Sequence, residues 1–221
     1  MEMDVISAFL VGLAGAGHCI AMCGGITSML SRSVGKDKPA PAIIFNYNFG
    51  RILSYTIAGA IAGFTGSIAA RSIGVPIAML QIFAAVFLIL LGLYIGQWLF
   101  VLNRVEAIGK ILWQRIQPLS KRFIPVNSGS HALALGAIWG WLPCGLVYST
   151  LTWSIASGSW HQGALIMFAF GLGTLPALLT LSAGFRWFTD GLRKPMVKKL
   201  SGILLILYGI YSLHIALKML F

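Results

Sequence analysis

Apolar residues run along this chain in six long blocks separated by short polar stretches. They cover roughly residues 4–31, 41–70, 75–102, 131–157, 160–185 and 200–220. Each matches or exceeds the about 20 mostly apolar residues that cross a bilayer as a helix. The pattern predicts an all-α polytopic membrane protein with six transmembrane helices in a single domain, 1–221. Between the third and fourth blocks, the segment 103–130 contains a run from Val105 to Ile116 that mixes apolar and basic positions. Its two kinds of side chain fall on separate faces of a helix, which predicts an interfacial helix on the cytoplasmic surface.

Composition agrees with the pattern. Of the 221 residues, 58% are hydrophobic and only 10% charged, the balance of a protein buried in lipid. The net charge of +11 would suit a nucleic-acid binder if it formed a patch. Instead the basic residues sit in alternate loops. Arg32, Lys36 and Lys38 follow the first block, and Arg104, Lys110, Arg115, Lys121 and Arg122 follow the third. Arg186, Arg193, Lys194, Lys198 and Lys199 follow the fifth, against only Arg71 and Lys218 on the other side. By the positive-inside rule those three loops are cytoplasmic, so both termini are periplasmic, and the charge sets topology and not nucleic-acid binding. Glu2 and Asp4 replace the basic leader of a cleavable signal, so the first block is read as a retained span.

The two halves resemble each other. Cys23-Gly24 in the first block matches Cys144-Gly145 in the fourth, and Gly50 follows Cys23 by the same interval as Gly171 follows Cys144. Gly92-Leu93-Tyr94 then matches Gly209-Ile210-Tyr211. Three spans per half is an odd number, so the halves, about 1–102 and 131–221, run in opposite orientations. Inverted repeats of this kind place their working site near the bilayer midplane, where the halves meet.

The candidate chemistry lies there. All three cysteines, Cys19, Cys23 and Cys144, stand inside apolar blocks beside helix-disturbing residues. Gly24 and Gly25 weaken the helix after Cys23, and Pro143 removes a backbone donor before Cys144 and Gly145. Broken helices at membrane depth are tolerated where they line a cavity or are buried in protein. Cys144 is therefore expected to open a half-helix, whose positive end favours a thiolate. His18, Met22, Cys19 and Cys23 fall at roughly 0°, 40°, 100° and 140° around a helix, on one broad face. Such a set suits either Cu(I) or another soft metal, or a dithiol that passes electrons onward. Asn46, Asn48 and Arg51 add polar groups to the second span, with Tyr47, Ser54 and Tyr55 beside them. Arg51 lies about 15 Å from the cytoplasmic end at 1.5 Å per residue, where it either snorkels or bonds to exposed backbone carbonyls. The five acidic residues (Glu2, Asp4, Asp37, Glu106, Asp190) all fall outside or at the ends of the blocks, leaving no buried carboxylate for a proton antiporter.

The motifs His18-Cys19-x-x-Met22-Cys23-Gly24-Gly25, Tyr47-Asn48-Phe49-Gly50-Arg51, Trp141-Leu142-Pro143-Cys144-Gly145 and Phe170-Gly171-Leu172-Gly173-Thr174-Leu175-Pro176 together resemble one bacterial family. It is the UreH-like transmembrane domain family, also called sulfite exporter TauE/SafE-like, within the DsbD/CcdA superfamily of transmembrane electron carriers. The resemblance covers essentially the whole chain. It implies a six-helix inverted-repeat bundle in the bacterial inner membrane, with Pro176 among the helix-disturbing positions. It also implies a redox pair formed by Cys23 and Cys144, with Cys19 as a third thiol. That pair would carry electrons from cytoplasmic thioredoxin to periplasmic thiol proteins in cytochrome and metalloprotein maturation, with no cofactor. An alternative is heavy-metal transport: Cu(I), or Ni(II), on His18, Cys19, Met22, Cys23 and Cys144, with copper-carrier proteins as partners. A second is a non-catalytic assembly factor for cytochrome oxidase.

Overall fold

The computed structural model describes residues 2–15, 19, 40–72, 77–98, 115, 118, 126, 128–141, 144–182 and 194–220. The described residues form seven helices: α1 (Glu2–Ala14), α2 (Ala40–Ser72), α3 (Ile77–Ile95), α4 (Gly129–Trp139), α5 (Gly145–Ala156), α6 (Trp160–Ser182) and α7 (Pro195–Leu220). Three hold stretches long and apolar enough to cross a membrane: Pro41–Ala69 in α2, Trp160–Leu181 in α6 and Pro195–Lys218 in α7. Val5–Ala14 and Gln81–Ile95 are shorter apolar helices.

The predicted second, third, fifth and sixth blocks are thus single helices, with ends within a few residues of those expected for all but the third, which stops at Ile95. The fourth block is divided into α4 and α5, as the Pro143-Cys144 break requires. The first block is described as α1 plus Cys19, whose amide donates to the Gly15 carbonyl at 3.1 Å. Within the 103–130 segment only Arg115, Pro118, Val126 and 128–130 are described, and the proposed interfacial helix falls mostly outside them.

α2 shows how the sequence sorts itself in lipid. Phe45, Phe49, Leu53, Ile57, Ile61, Phe64 and Ile68 recur every three or four positions and are all exposed. The same helix buries Tyr47, Asn48, Arg51, Ser54 and Tyr55. Polar groups inside and large apolar groups outside invert the pattern of a water-soluble helix. In hydrocarbon the costly groups are the polar ones, so they turn inward.

α2 packs against α4, α5 and α6, α1 against α6, α3 against α5 and α7, and α5 against α6. Small residues set these approaches. A Cβ on Gly12 would collide with the Phe170 carbonyl, and one on Gly136 with the Tyr47 carbonyl. Likewise Gly50 faces Leu133 and Ala137, and Gly173 faces Phe9 and Leu13. The packing of α1 on α6 therefore repeats the packing of α4 on α2, with matching positions 124 residues apart (Gly12 to Gly136) or 123 (Gly50 to Gly173). α3 and α7 meet reciprocally. A Cβ on Gly92 would lie 2.7 Å from Ile206 Cγ1 and 2.8 Å from the Gly202 carbonyl oxygen. One on Gly209 would lie 2.7 Å from Ile89 Cγ1 and 3.3 Å from the Ala85 carbonyl oxygen.

Candidate functional site

The site is built around the interruption between α4 and α5. α4 opens on Ser128, whose side chain accepts from the His131 amide, and closes on Gly140, whose N–H donates back to the Gly136 carbonyl. Cys144 is the N-cap of α5, in extended conformation (φ −127°, ψ 150°). At 1.5 Å per residue the 11 residues of α4 and 12 of α5 rise about 16 and 18 Å, so the break falls near the middle of the stretch the two helices cover. The first amides of α5 have no intrahelical partners, and the helix dipole is positive at this end. Cys144 thus stands where a developing thiolate is favoured, and Gly145 is the first, buried residue of the helix it opens.

Cys19 and Cys144 are both buried, at 5% and 7% exposure, and belong to one apolar cluster with Tyr55, Leu146, Met167 and Phe170. Backbone packing explains how two distant cysteines arrive there. A Cβ on Gly15 would lie 2.6 Å from both terminal methyl carbons of Leu146, so the C-terminal end of α1 presses on the first turn of α5. Cys19 is one turn beyond Gly15, and Leu146 is two residues beyond Cys144. His18, Met22, Cys23, Gly24, Gly25 and Pro143 lie outside the described residues. Among the described residues, no group of three or more His, Cys, Asp or Glu side chains gathers in one place.

The inward face of α2 supplies the polar lining. Arg51 is 2% exposed, so its guanidinium does not snorkel to the surface. Its Nη2 donates to the Tyr55 hydroxyl at 3.0 Å, and its charge lies 5.5 Å from the centre of the Tyr55 ring. Tyr55 in turn packs on Phe170, ring centres 5.7 Å apart. The Ser54 hydroxyl donates to the Ala137 carbonyl at 2.8 Å, tying α2 to the last turn of α4. A Cβ on Gly140 would sit 3.1 Å from the Arg51 carbonyl oxygen, which seats the start of the break against the arginine's own turn. Asn48 donates from Nδ2 to the Ile44 carbonyl at 2.9 Å, while its buried Oδ1 meets no hydrogen-bond donor among the described residues. Asn46 is only partly buried and faces Gly129 at the start of α4, away from the cysteines. Pro176 lies inside α6, where the Thr180 hydroxyl donates to its carbonyl at 2.9 Å.

Asn48 and Arg51 stand out in the sequence as polar groups of the second span, and the structure adds a part for Tyr55, named beside them, through its bond to Arg51. Its signal was the spacing: Tyr55 is one turn beyond Arg51, on the same face of the helix.

Residues 7–211 match the family model described as the transmembrane region of cytochrome c biogenesis protein, which covers nearly the whole chain. No curated protein and no solved structure gives a match.

Proposed function

Because the chain belongs to the cytochrome c biogenesis transmembrane family, of the DsbD/CcdA-like superfamily, we propose that it is a thiol–disulfide electron relay of the bacterial inner membrane, with Cys19 and Cys144 as its redox pair. The observation that carries this reading is the burial of both sulfurs in one apolar cluster, with Cys144 at the positive end of α5. Cys23 is then the additional thiol of the first span.

A six-span inverted repeat accounts for the reciprocal glycine contacts. Its register favours Cys19 as the counterpart of Cys144. The equivalent glycines are 123 or 124 residues apart, and Cys144 follows Cys19 by 125 positions but Cys23 by 121. The sequence match between Cys23 and Cys144 is displaced by two or three residues from that register, and Cys19 by one or two. Placement with the UreH-like, TauE/SafE-like branch rests on the motif His18-Cys19-x-x-Met22-Cys23 and the Trp141 to Gly145 run.

The chemistry balances as two exchanges. A cytoplasmic dithiol of the thioredoxin class reduces the Cys19–Cys144 disulfide to two thiols and leaves as a disulfide. The two thiols then reduce a disulfide on a periplasmic protein and close again. Two electrons and two protons move in each exchange. No cofactor takes part. On this reading both termini are periplasmic and the basic loops cytoplasmic.

The test is alkylation mass-shift analysis of the purified protein with and without reductant, alongside metal quantification. One reducible disulfide is expected in the wild type and in Cys23→Ser, and none in Cys19→Ser or Cys144→Ser. Loss of the disulfide in Cys23→Ser but not Cys19→Ser transfers the pair to Cys23. Stoichiometric Cu(I) or Ni(II) with no disulfide under any condition replaces the relay with metal transport. In vivo function that survives all three substitutions leaves the oxidase assembly role.

A further inference from the structure

Thiol–disulfide exchange at mid-membrane raises a problem of protons. When a disulfide is opened, one sulfur departs as a thiolate, and an anion in an apolar cluster is costly unless it is neutralised at once. The chain has no acidic residue in the interior of any apolar block. A buried arginine is also costly within a membrane, and such residues there ordinarily serve a function. Arg51 and Tyr55 answer both observations. The arginine is buried against the turn that begins the α4–α5 break, and it hydrogen-bonds the hydroxyl of a tyrosine in the cysteines' own cluster.

We propose that Tyr55 is the proton donor of the sulfur pair and Arg51 the residue that positions its hydroxyl and balances its charge. This rests on the relay reading given above. The Tyr55 oxygen accepts from Arg51, so the bond to the guanidinium does not engage the hydroxyl's own proton. A thiolate of the incoming dithiol protein, its proton shed to water, attacks the Cys19–Cys144 disulfide. A new S–S bond forms, the old one breaks, and the departing thiolate takes the proton of Tyr55. The phenolate is held beside the guanidinium. The second thiol of the reductant then resolves the mixed disulfide, its proton going to the second cysteine, while the phenolate recovers a proton from water. Two thiols result on this chain and one disulfide on its partner.

The experiment follows the rate at which dithiothreitol reduces the disulfide of the purified full-length protein in nanodiscs, by quenched alkylation. Tyr55→Phe keeps the ring and its packing on Phe170 and removes only the hydroxyl. It should still form the disulfide but exchange at least about 100-fold more slowly, the lower range for general acid catalysis. Arg51→Lys should fall between it and the wild type, because a lysine keeps the charge but not the planar fork. A slowing of the wild-type reaction in D2O should vanish in Tyr55→Phe, which a merely structural role would not produce. Wild-type rates in both variants, with normal disulfide occupancy, overturn this inference alone. Absence of any reducible disulfide in the wild type overturns the relay reading and this inference with it. Thermal melts of each variant guard against unfolding, and Tyr55→Phe remains informative where an arginine variant fails to fold.

Discussion

Replacing Gly136 with alanine tests the packing that holds the break against α2. The added Cβ would overlap the Tyr47 carbonyl oxygen and lie 2.8 and 3.0 Å from Tyr47 C and Cα. These are backbone atoms of a helix, with no rotamer to yield, so α4 must move away from α2 as a unit. Overpacking of this sort costs about 3 kcal/mol at the upper end of its range. Exchange of glycine for alanine in a helix returns about 1 kcal/mol, for a net loss of about 2 kcal/mol. Gly171→Ala in α6 is the matched control. Its Cβ would meet only side-chain atoms, Ile52 Cγ1 at 3.1 Å, Tyr55 Cδ2 at 3.4 Å and Ile52 Cγ2 at 3.5 Å, which give way by small rotations. That variant should be neutral or up to about 1 kcal/mol more stable. The two should therefore differ by about 2–3 kcal/mol, read from reversible unfolding of the purified proteins in mixed micelles. A difference under about 1 kcal/mol would refute the claim that α2 and α4 touch through backbone at this position.

Ser54→Ala removes the bond to the Ala137 carbonyl and should cost about 0.6 kcal/mol, the average for interhelical hydrogen bonds in membranes, in the same unfolding assay. Asn48→Leu replaces a buried amide with an unsatisfied oxygen by a side chain of similar shape. It should raise stability by about 1 kcal/mol in the same assay. Cys19→Ser should abolish covalent capture of a mono-cysteine thioredoxin-type partner, or transfer it to Cys144, as seen by non-reducing gel shift.

Most of the architecture was legible in the sequence because lipid imposes a single strong rule. A block such as 160–185 has one physical solution, a continuous helix, and α6 is that helix. The break before Cys144 was equally legible, because proline removes a donor whatever the surroundings. Contacts between helices were not. Glycine is abundant (26 residues), so a match of Gly50 to Gly171 and one of Gly50 to Gly173 look alike on paper. Only the collisions of absent Cβ atoms distinguish them, and these favour the second. Arg51 was recognised as a charge in the wrong solvent, but its partner was not, because a tyrosine one turn away has many neighbours to choose from.

The exposed stripe of α2 has a consequence for the membrane itself. From Phe45 to Ile68 it extends about 35 Å at 1.5 Å per residue. A hydrocarbon layer of about 30 Å accommodates that length at a tilt of about 30°, inside the range adopted by spanning helices. A bilayer of about 27 Å demands nearly 40°, and one of about 33 Å only some 20°. α2 does not lean alone, since α4, α5 and α6 all rest on it. Acyl-chain length is thus a mechanical input to the whole bundle, felt at the seam where α4 ends and α5 begins.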